Sequence, residues 1–209
     1  MNLFSTNNYL PFDGLVEYIP NAISIISAQE YLQKLTSNIN WQNDFVKIFG
    51  KEIITQRKTA WYGSKNFEYT YSNKTKIALP WNKELFELKL LIETQYNEEF
   101  NSCLLNLYHN GNEGMAWHSD NEHTIAPNST IASLSLGAER RFLFRHKLTQ
   151  QKVELNLQSG SLLLMKENTQ NNWIHSLPKS AKITMPRINL TFRKMKIIPT
   201  TGGKDKIKP

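Results

Sequence analysis

Residues 115–123 read MAWHSDNEH, and within them His118 and Asp120 are separated by a single residue. In an extended strand, positions i and i+2 project to one face, so this spacing brings an imidazole and a carboxylate to one point while Ser119 turns away. That pair would supply two ligands of a mononuclear non-haem iron site. Such a site needs one further histidine and keeps positions open for a chelating co-substrate and dioxygen. His175, in NNWIHSLP, is the best third ligand. It lies 55 residues past Asp120, just after an expected strand at 161–165, from where a jelly roll would return it to the first pair. His109, His123 and His146 compete for the role. His123 follows His118 by five residues, which suits neither a strand face nor the i,i+4 spacing of a helix. All three are expected to be non-ligands. Taken alone, His-x-Asp also describes a surface histidine beside a turn aspartate.

A second constellation lies near the end of the chain. In RINLTFRKM, Arg187, Asn189, Thr191 and Arg193 alternate and so share one strand face, leaving Leu190 and Phe192 to pack on the other. Two arginines pointing into a barrel interior would be costly without anionic partners. A dicarboxylate would supply them: 2-oxoglutarate offers one carboxylate to a bidentate arginine and an oxo-acid end to a metal. An exposed basic sheet face is the plainer alternative for this segment.

These residues need a scaffold. Ser27-Ala-Gln-Glu30 has the form of a capping box, with Tyr31, Leu35 and Ile39 following at helical spacing. A second helix is predicted to open near Pro80-Trp81-Asn82 and to carry Leu85, Leu88, Ile92 and Tyr96 on one face. From Asn101 onward the pattern changes to short strands, at 103–108, 130–136, 141–146, 152–157, 161–165 and 187–193, broken by Gly, Asn, Ser and Pro clusters. That succession predicts a mainly β protein with some α: an antiparallel sandwich or jelly roll buttressed by the two helices. The expected organisation is one domain. Residues 1–100 form an N-terminal extension, 101–198 the catalytic core, and 199–209 a frayed Gly- and Lys-rich tail.

Composition excludes several classes. With 40% hydrophobic and 21% charged residues the chain is of ordinary globular type. Cys103 is the single cysteine, so there is no intramolecular disulfide and no thiolate cluster for zinc or iron-sulfur. Any metal must be held by histidine and carboxylate. No Lys or Arg occurs in residues 1–33, and no apolar run approaches the roughly 18 residues of a membrane span. A soluble, cytoplasmic protein without a membrane partner is expected, as a monomer. The net charge of +7 is compatible with a polyanionic partner.

The segments NLYHNGNEGMAWHSDNE, IASLSLGAERRFLFRHK, GSLLLM, HSLP and RINLTFRK together resemble the AlkB family of Fe(II)- and 2-oxoglutarate-dependent dioxygenases, especially the branch similar to the eukaryotic DNA-repair members. The resemblance runs in matching order from about Phe49 to Met195. It implies a double-stranded β-helix, iron held by His118, Asp120 and His175, and 2-oxoglutarate held by Asn106, Tyr108, Arg187, Asn189, Thr191 and Arg193, with Arg187 at the distal carboxylate. It also implies O2 as oxidant and oxidative demethylation of alkylated bases of the N1-methyladenine and N3-methylcytosine type in DNA, with RNA as another candidate partner. Formaldehyde, succinate and CO2 would be released.

Chemistry on a base requires that the base be flipped out of a duplex. RKTAWYGSKNFEYTYSN, residues 57–73, resembles the family's nucleotide-recognition lid, which spans about 49–80. The resemblance places Arg57, Tyr69 and Tyr71 on the substrate side, with Tyr71 stacking on the base opposite His118. Glu122 would accept a hydrogen bond from an exocyclic amino group. The bland alternatives are a core-packed strand for the tyrosines and a solvated loop carboxylate for Glu122. Phe49, in VKIFGK, is either a wedge that fills the gap left by the base or a core residue. Arg145 and Lys147 either meet phosphate or are solvated charge. Asn121 stands where duplex-repair members often carry Asp. The competing functions are an oxygenase acting on RNA, protein or a small molecule, and a catalytically silent nucleic-acid-binding module.

Overall fold

The computed structural model describes residues 8–48, 51–71 and 74–197. Phe49 and the tail from 199 lie outside the described residues. The N-terminal half contains β1 (Leu15–Ile19), α1 (Ile25–Asn38), β2 (Gln42–Ile48), β3 (Lys51–Gly63), β4 (Glu68–Tyr71), β5 (Lys74–Ile77), β6 (Leu79–Pro80) and α2 (Lys83–Tyr96). There follow β7 (Ser102–Tyr108), β8 (Met115–His118), β9 (Ile131–Gly137), β10 (Arg140–His146) and β11 (Lys152–Leu157). The chain then forms β12 (Leu162–Lys166), α3 (Thr169–Asn172), β13 (Trp173–Leu177) and β14 (Arg187–Arg193).

Two antiparallel sheets face each other, as the strand pattern predicted. Among the described residues the larger has the order β1-β12-β9-β14-β7-β3-β2, with β6 paired to β3, and the smaller has the order β11-β10-β13-β8. This is the double-stranded β-helix. β14 lies between β9 and β7, so both of its edges are paired. Its even positions, Ile188, Leu190 and Phe192, join Leu35 of α1 and Leu85, Leu88 and Ile92 of α2 in one apolar cluster on the outer side of the large sheet. The odd positions, Arg187, Asn189, Thr191 and Arg193, line the cavity between the sheets. A second apolar cluster is built from Phe142, Phe144, Leu163, Met165 and Trp173 with others, and its Phe142 and Met165 line that cavity.

The helices follow from their sequences with one correction. α1 is capped by Ser24, whose hydroxyl accepts from the Ser27 N–H at 3.1 Å, and Ser27 lies inside the helix. The expected capping box at Ser27 is therefore displaced by one turn, because Ser24 has the extended backbone that a cap requires and an oxygen in reach of an unpaired helical N–H. α2 starts where predicted. Asn82 caps it, accepting from Leu85 N at 2.9 Å.

The six strands predicted between 103 and 193 are present to within a residue or two, and two more accompany them. β8 is only four residues long and β13 only five. Each is short and carries a histidine, so neither stands out as an apolar run. The large sheet also reaches well into the N-terminal hundred residues: β1 pairs with β12, and the thirteen-residue β3 pairs with β7. β4 and β5 form a separate two-stranded hairpin. No helix among the described residues is long and apolar enough to cross a membrane.

Candidate active site

A cavity of about 270 Å³ opens between the two sheets. His118 ends β8, and His175 sits opposite it on β13, the two residues being direct partners in the strand ladder. His175 was expected just after the strand at 161–165. Instead the chain first makes α3 and then returns as β13, and this return brings the ring to its partner. The two imidazoles meet edge to face with centroids 4.3 Å apart, and the Phe142 ring stacks on His175 at 5.3 Å. Asp120 lies beyond the end of β8 and so is not held by the ladder as the i,i+2 reading supposed. Its carboxylate still reaches the two rings. One ligand atom from each of His118, Asp120 and His175 lies within 4.8 Å of the others.

The protonation states suit metal binding. The Nδ1 of His118 is 2.9 Å from the Ala116 carbonyl, which can only accept, so Nδ1 donates there and Nε2 is the ring nitrogen left for a metal. Nε2 lies 3.7 Å from Asp120 Oδ1. Burial pushes the His175 imidazole down to about 3, against the pull of Asp120, so the ring is neutral at physiological pH. Burial alone would raise the Asp120 carboxyl. The Arg193 guanidinium, aided by His175 and His118, outweighs that effect and holds it at about 2. Two imidazoles and one carboxylate facing a cavity form the donor set of a divalent first-row metal with open positions.

Arg187, 2% exposed, binds Ser135 Oγ at 2.9 Å and Asn189 Oδ1 at 2.7 Å through Nη2, and its guanidinium lies over the Tyr108 ring. Its Nε has no partner, and neither do Arg193 Nε or Asn106 Oδ1. Burial lowers the Arg187 guanidinium to about 10, which leaves it charged at neutral pH. A buried cation with an unused donor, beside a metal-type donor set, fits a small dicarboxylate that also chelates a metal. Asn106, Tyr108, Asn189 and Thr191 line the same cavity. Asn189 receives a bond from Ser133 Oγ at 3.0 Å and donates to Thr191 Oγ1 at 2.9 Å.

Arg193, expected among the residues that hold 2-oxoglutarate, also has partners within the protein. It binds Asp120 Oδ1 at 2.8 Å and lies 4.0 Å from Glu122, so it serves the metal-site carboxylate directly. Glu122 lines the cavity, and its Oε2 has no partner. Arg57 also lines the cavity, but its guanidinium is engaged by Asp44 and by Met115 Sδ at 3.3 Å. Asp44 in turn holds Lys76 of β5 at 3.1 Å. Tyr69 and Tyr71 are on β4, paired through the backbone with Lys76 and Lys74. Their side chains lie outside the described part of the structure.

The remaining histidines have other partners. His109 binds Glu113 at 2.9 Å, His146 is enclosed by Phe12 and Trp173 and bonded by Thr149, and His123 is exposed. Arg145 lies over the Trp117 ring at 4.5 Å, and Lys147 donates to the Gln170 carbonyl at 2.9 Å. Sequence reasoning missed Asp44, Ser133, Ser135 and Gln170. The serines carried a faint signal, since they alternate on β9; Ser133 lines the cavity with Asn106 and Asn189, and Ser135 meets Arg187. Asp44 and Gln170 carried none, because their partners are far away in sequence.

A jelly roll that holds two imidazoles, a carboxylate and a buried arginine around one cavity defines the class of mononuclear non-haem iron oxygenases. The comparisons agree. The model of the 2OG-Fe(II) oxygenase superfamily matches residues 15–193. The chain is 38% identical over 179 residues to the DNA oxidative demethylase ALKBH2 of Homo sapiens, covering 80% of this chain and 69% of the relative. It is 37% identical over 187 residues to the alpha-ketoglutarate-dependent dioxygenase alkB homolog 3 of Homo sapiens, covering 83% and 64%. A solved structure of OsALKBH1 superposes with a TM-score of 0.58 at 16% identity, covering 90% of this chain and 99% of that one. The chain belongs to the AlkB family of the 2OG-Fe(II) oxygenases. It spans about two thirds of the length of the curated relatives it matches. Fe(II), 2-oxoglutarate and O2 are its cofactor and co-substrates.

Proposed function

We propose that this chain repairs DNA by oxidative demethylation of bases alkylated on a ring nitrogen, of the N1-methyladenine and N3-methylcytosine type. The observation that carries the reading is that one cavity contains both the His118, Asp120 and His175 cluster and a carboxylate, Glu122, with an unpaired oxygen. Such an oxygen is an acceptor for the exocyclic amino group that adenine and cytosine share. The names of the relatives, DNA oxidative demethylase among them, point the same way.

In this reading His118, Asp120 and His175 hold the iron, and Arg187, Asn189, Asn106 and Tyr108 hold 2-oxoglutarate. Bound iron, with 2-oxoglutarate and O2, supplies the oxidising power that hydroxylates the N-methyl carbon. The protein's part is presentation. Arg193 keeps Asp120 ionised and oriented, while Arg187 anchors the co-substrate by its far carboxylate. Glu122 holds the base by its amino edge, and the apolar walls exclude bulk water. The hydroxymethyl group then leaves as formaldehyde and restores the base, while 2-oxoglutarate ends as succinate and CO2.

The test is incubation of methylated DNA and RNA oligonucleotides with Fe(II), 2-oxoglutarate and the purified chain, followed by mass spectrometry of the products. Loss of one methylene unit from the DNA is the expected result. Slow decarboxylation of 2-oxoglutarate with every oligonucleotide unchanged would refute the nucleic-acid substrate. Turnover of RNA alone would replace DNA.

A further inference from the structure

We propose that Gln170, on the four-residue helix α3, is a positioning residue for the metal site that fixes the Asp120 backbone where the strand ladder no longer reaches it. The inference rests on reading His118, Asp120 and His175 as the iron ligands. Two of these are held by the sheet, since His118 and His175 are ladder partners. Asp120 lies two residues past the end of β8 and has no ladder partner. Its N–H donates instead to Gln170 Oε1 at 2.9 Å.

The orientation of the Gln170 amide follows from chemistry. Only its carbonyl end can accept from an N–H. Its NH2 end then points to Met165 Sδ, 3.3 Å away on β12. The platform is itself tied down. Thr169 Oγ1 donates to the Lys166 carbonyl at 2.6 Å and accepts from Leu15 N at 3.0 Å, and Lys147 Nζ binds the Gln170 carbonyl at 2.9 Å. Asp120 is thus held at two points: its carboxylate by Arg193 at 2.8 Å, and its backbone by Gln170. With the backbone tie removed, the carboxylate stays on Arg193 while its Cα is free to shift, so the ligand oxygen follows the arginine and no longer faces the two imidazoles. Partners behind a metal ligand commonly matter for affinity in this way.

The experiment is a titration of the metal-free full chain with Mn(II) alone, following loss of the free-ion signal by electron paramagnetic resonance. Gln170→Met keeps the side-chain length and removes the acceptor. It should weaken Mn(II) binding by about tenfold or more, within the roughly 10–100-fold range for such partners. Gln170→Glu keeps an acceptor oxygen at the same reach and should bind Mn(II) at least as tightly as the parent. If Gln170→Met does not fold, Gln170→Asn, one methylene too short to reach, should show the same weakening. Parent-like Mn(II) affinity in Gln170→Met or Gln170→Asn would overturn the assignment. So would equal weakening in Gln170→Glu, which would mean that packing and not the acceptor oxygen matters. His175→Ala separates the two levels of the argument: if it binds Mn(II) like the parent, the ligand set itself is wrong, whatever Gln170 does.

Discussion

At the scale of single residues the site depends on charges that are buried but not stranded. Asp120 is ionised because Arg193 faces it, and His175 is neutral because it is buried, so these two donors meet a cation without proton rearrangement. His118→Ala, Asp120→Ala and His175→Ala are each expected to abolish formaldehyde release while the circular dichroism spectrum stays that of the parent, since the apolar clusters are untouched. Parent-like turnover in one of them removes that residue from the iron. Arg187→Ala leaves a dicarboxylate without its buried cation. Breaking such a pair costs about 3–5 kcal/mol, or more than a hundredfold in 2-oxoglutarate affinity by calorimetric titration. Arg187→Lys restores the charge but not the two-pronged geometry, and should fall between the two.

At the scale of elements, the decisive pieces are β14, β13 and the β4–β5 hairpin. Alternation along β14 sends Ile188, Leu190 and Phe192 to the helices and four polar side chains to the cavity, so a shift by one residue would destroy core and site together. The hairpin bears Tyr69 and Tyr71, and the Lys76–Asp44 ion pair ties it to β2. If Tyr71 stacks on an extruded base, Tyr71→Ala should weaken binding of a methylated oligonucleotide by about 1–3 kcal/mol. Fluorescence anisotropy at constant salt measures this, and metal and 2-oxoglutarate affinities should hardly change. Parent-like binding and repair of every oligonucleotide would remove the hairpin from substrate recognition.

The whole molecule is a two-sheet body with a net charge of +7. Its stability resides in the cluster that joins the helices to the large sheet. Leu190→Ala, at a fully buried position at the centre of that sheet, should cost about 2–5 kcal/mol in urea unfolding. A loss below 1 kcal/mol would mean that the helices are not closely packed there. The positive charge predicts salt-sensitive DNA binding. Two phosphate contacts already imply a fall in affinity of about tenfold between roughly 50 and 200 mM salt, and a flat profile would argue against backbone contacts.

Much of the site was legible in the sequence because its logic is local. His118 and Asp120 sit two apart, the β14 quartet alternates, and strand patterns between 103 and 193 announced two facing sheets; types and spacing along one segment are sufficient for such inferences. The order of motifs extended this to the family. What the sequence left open depends on contacts between distant segments. Only the fold decides that His175 reaches His118 from its own strand, that Arg193 binds Asp120, that Asp44 engages both Arg57 and Lys76, and that Gln170 holds the Asp120 backbone. The same holds for the N-terminal strands β1 and β3, which owe their place to pairing with β12 and β7. A side chain's type tells which bonds it can make, and tertiary packing alone chooses the partner that makes them.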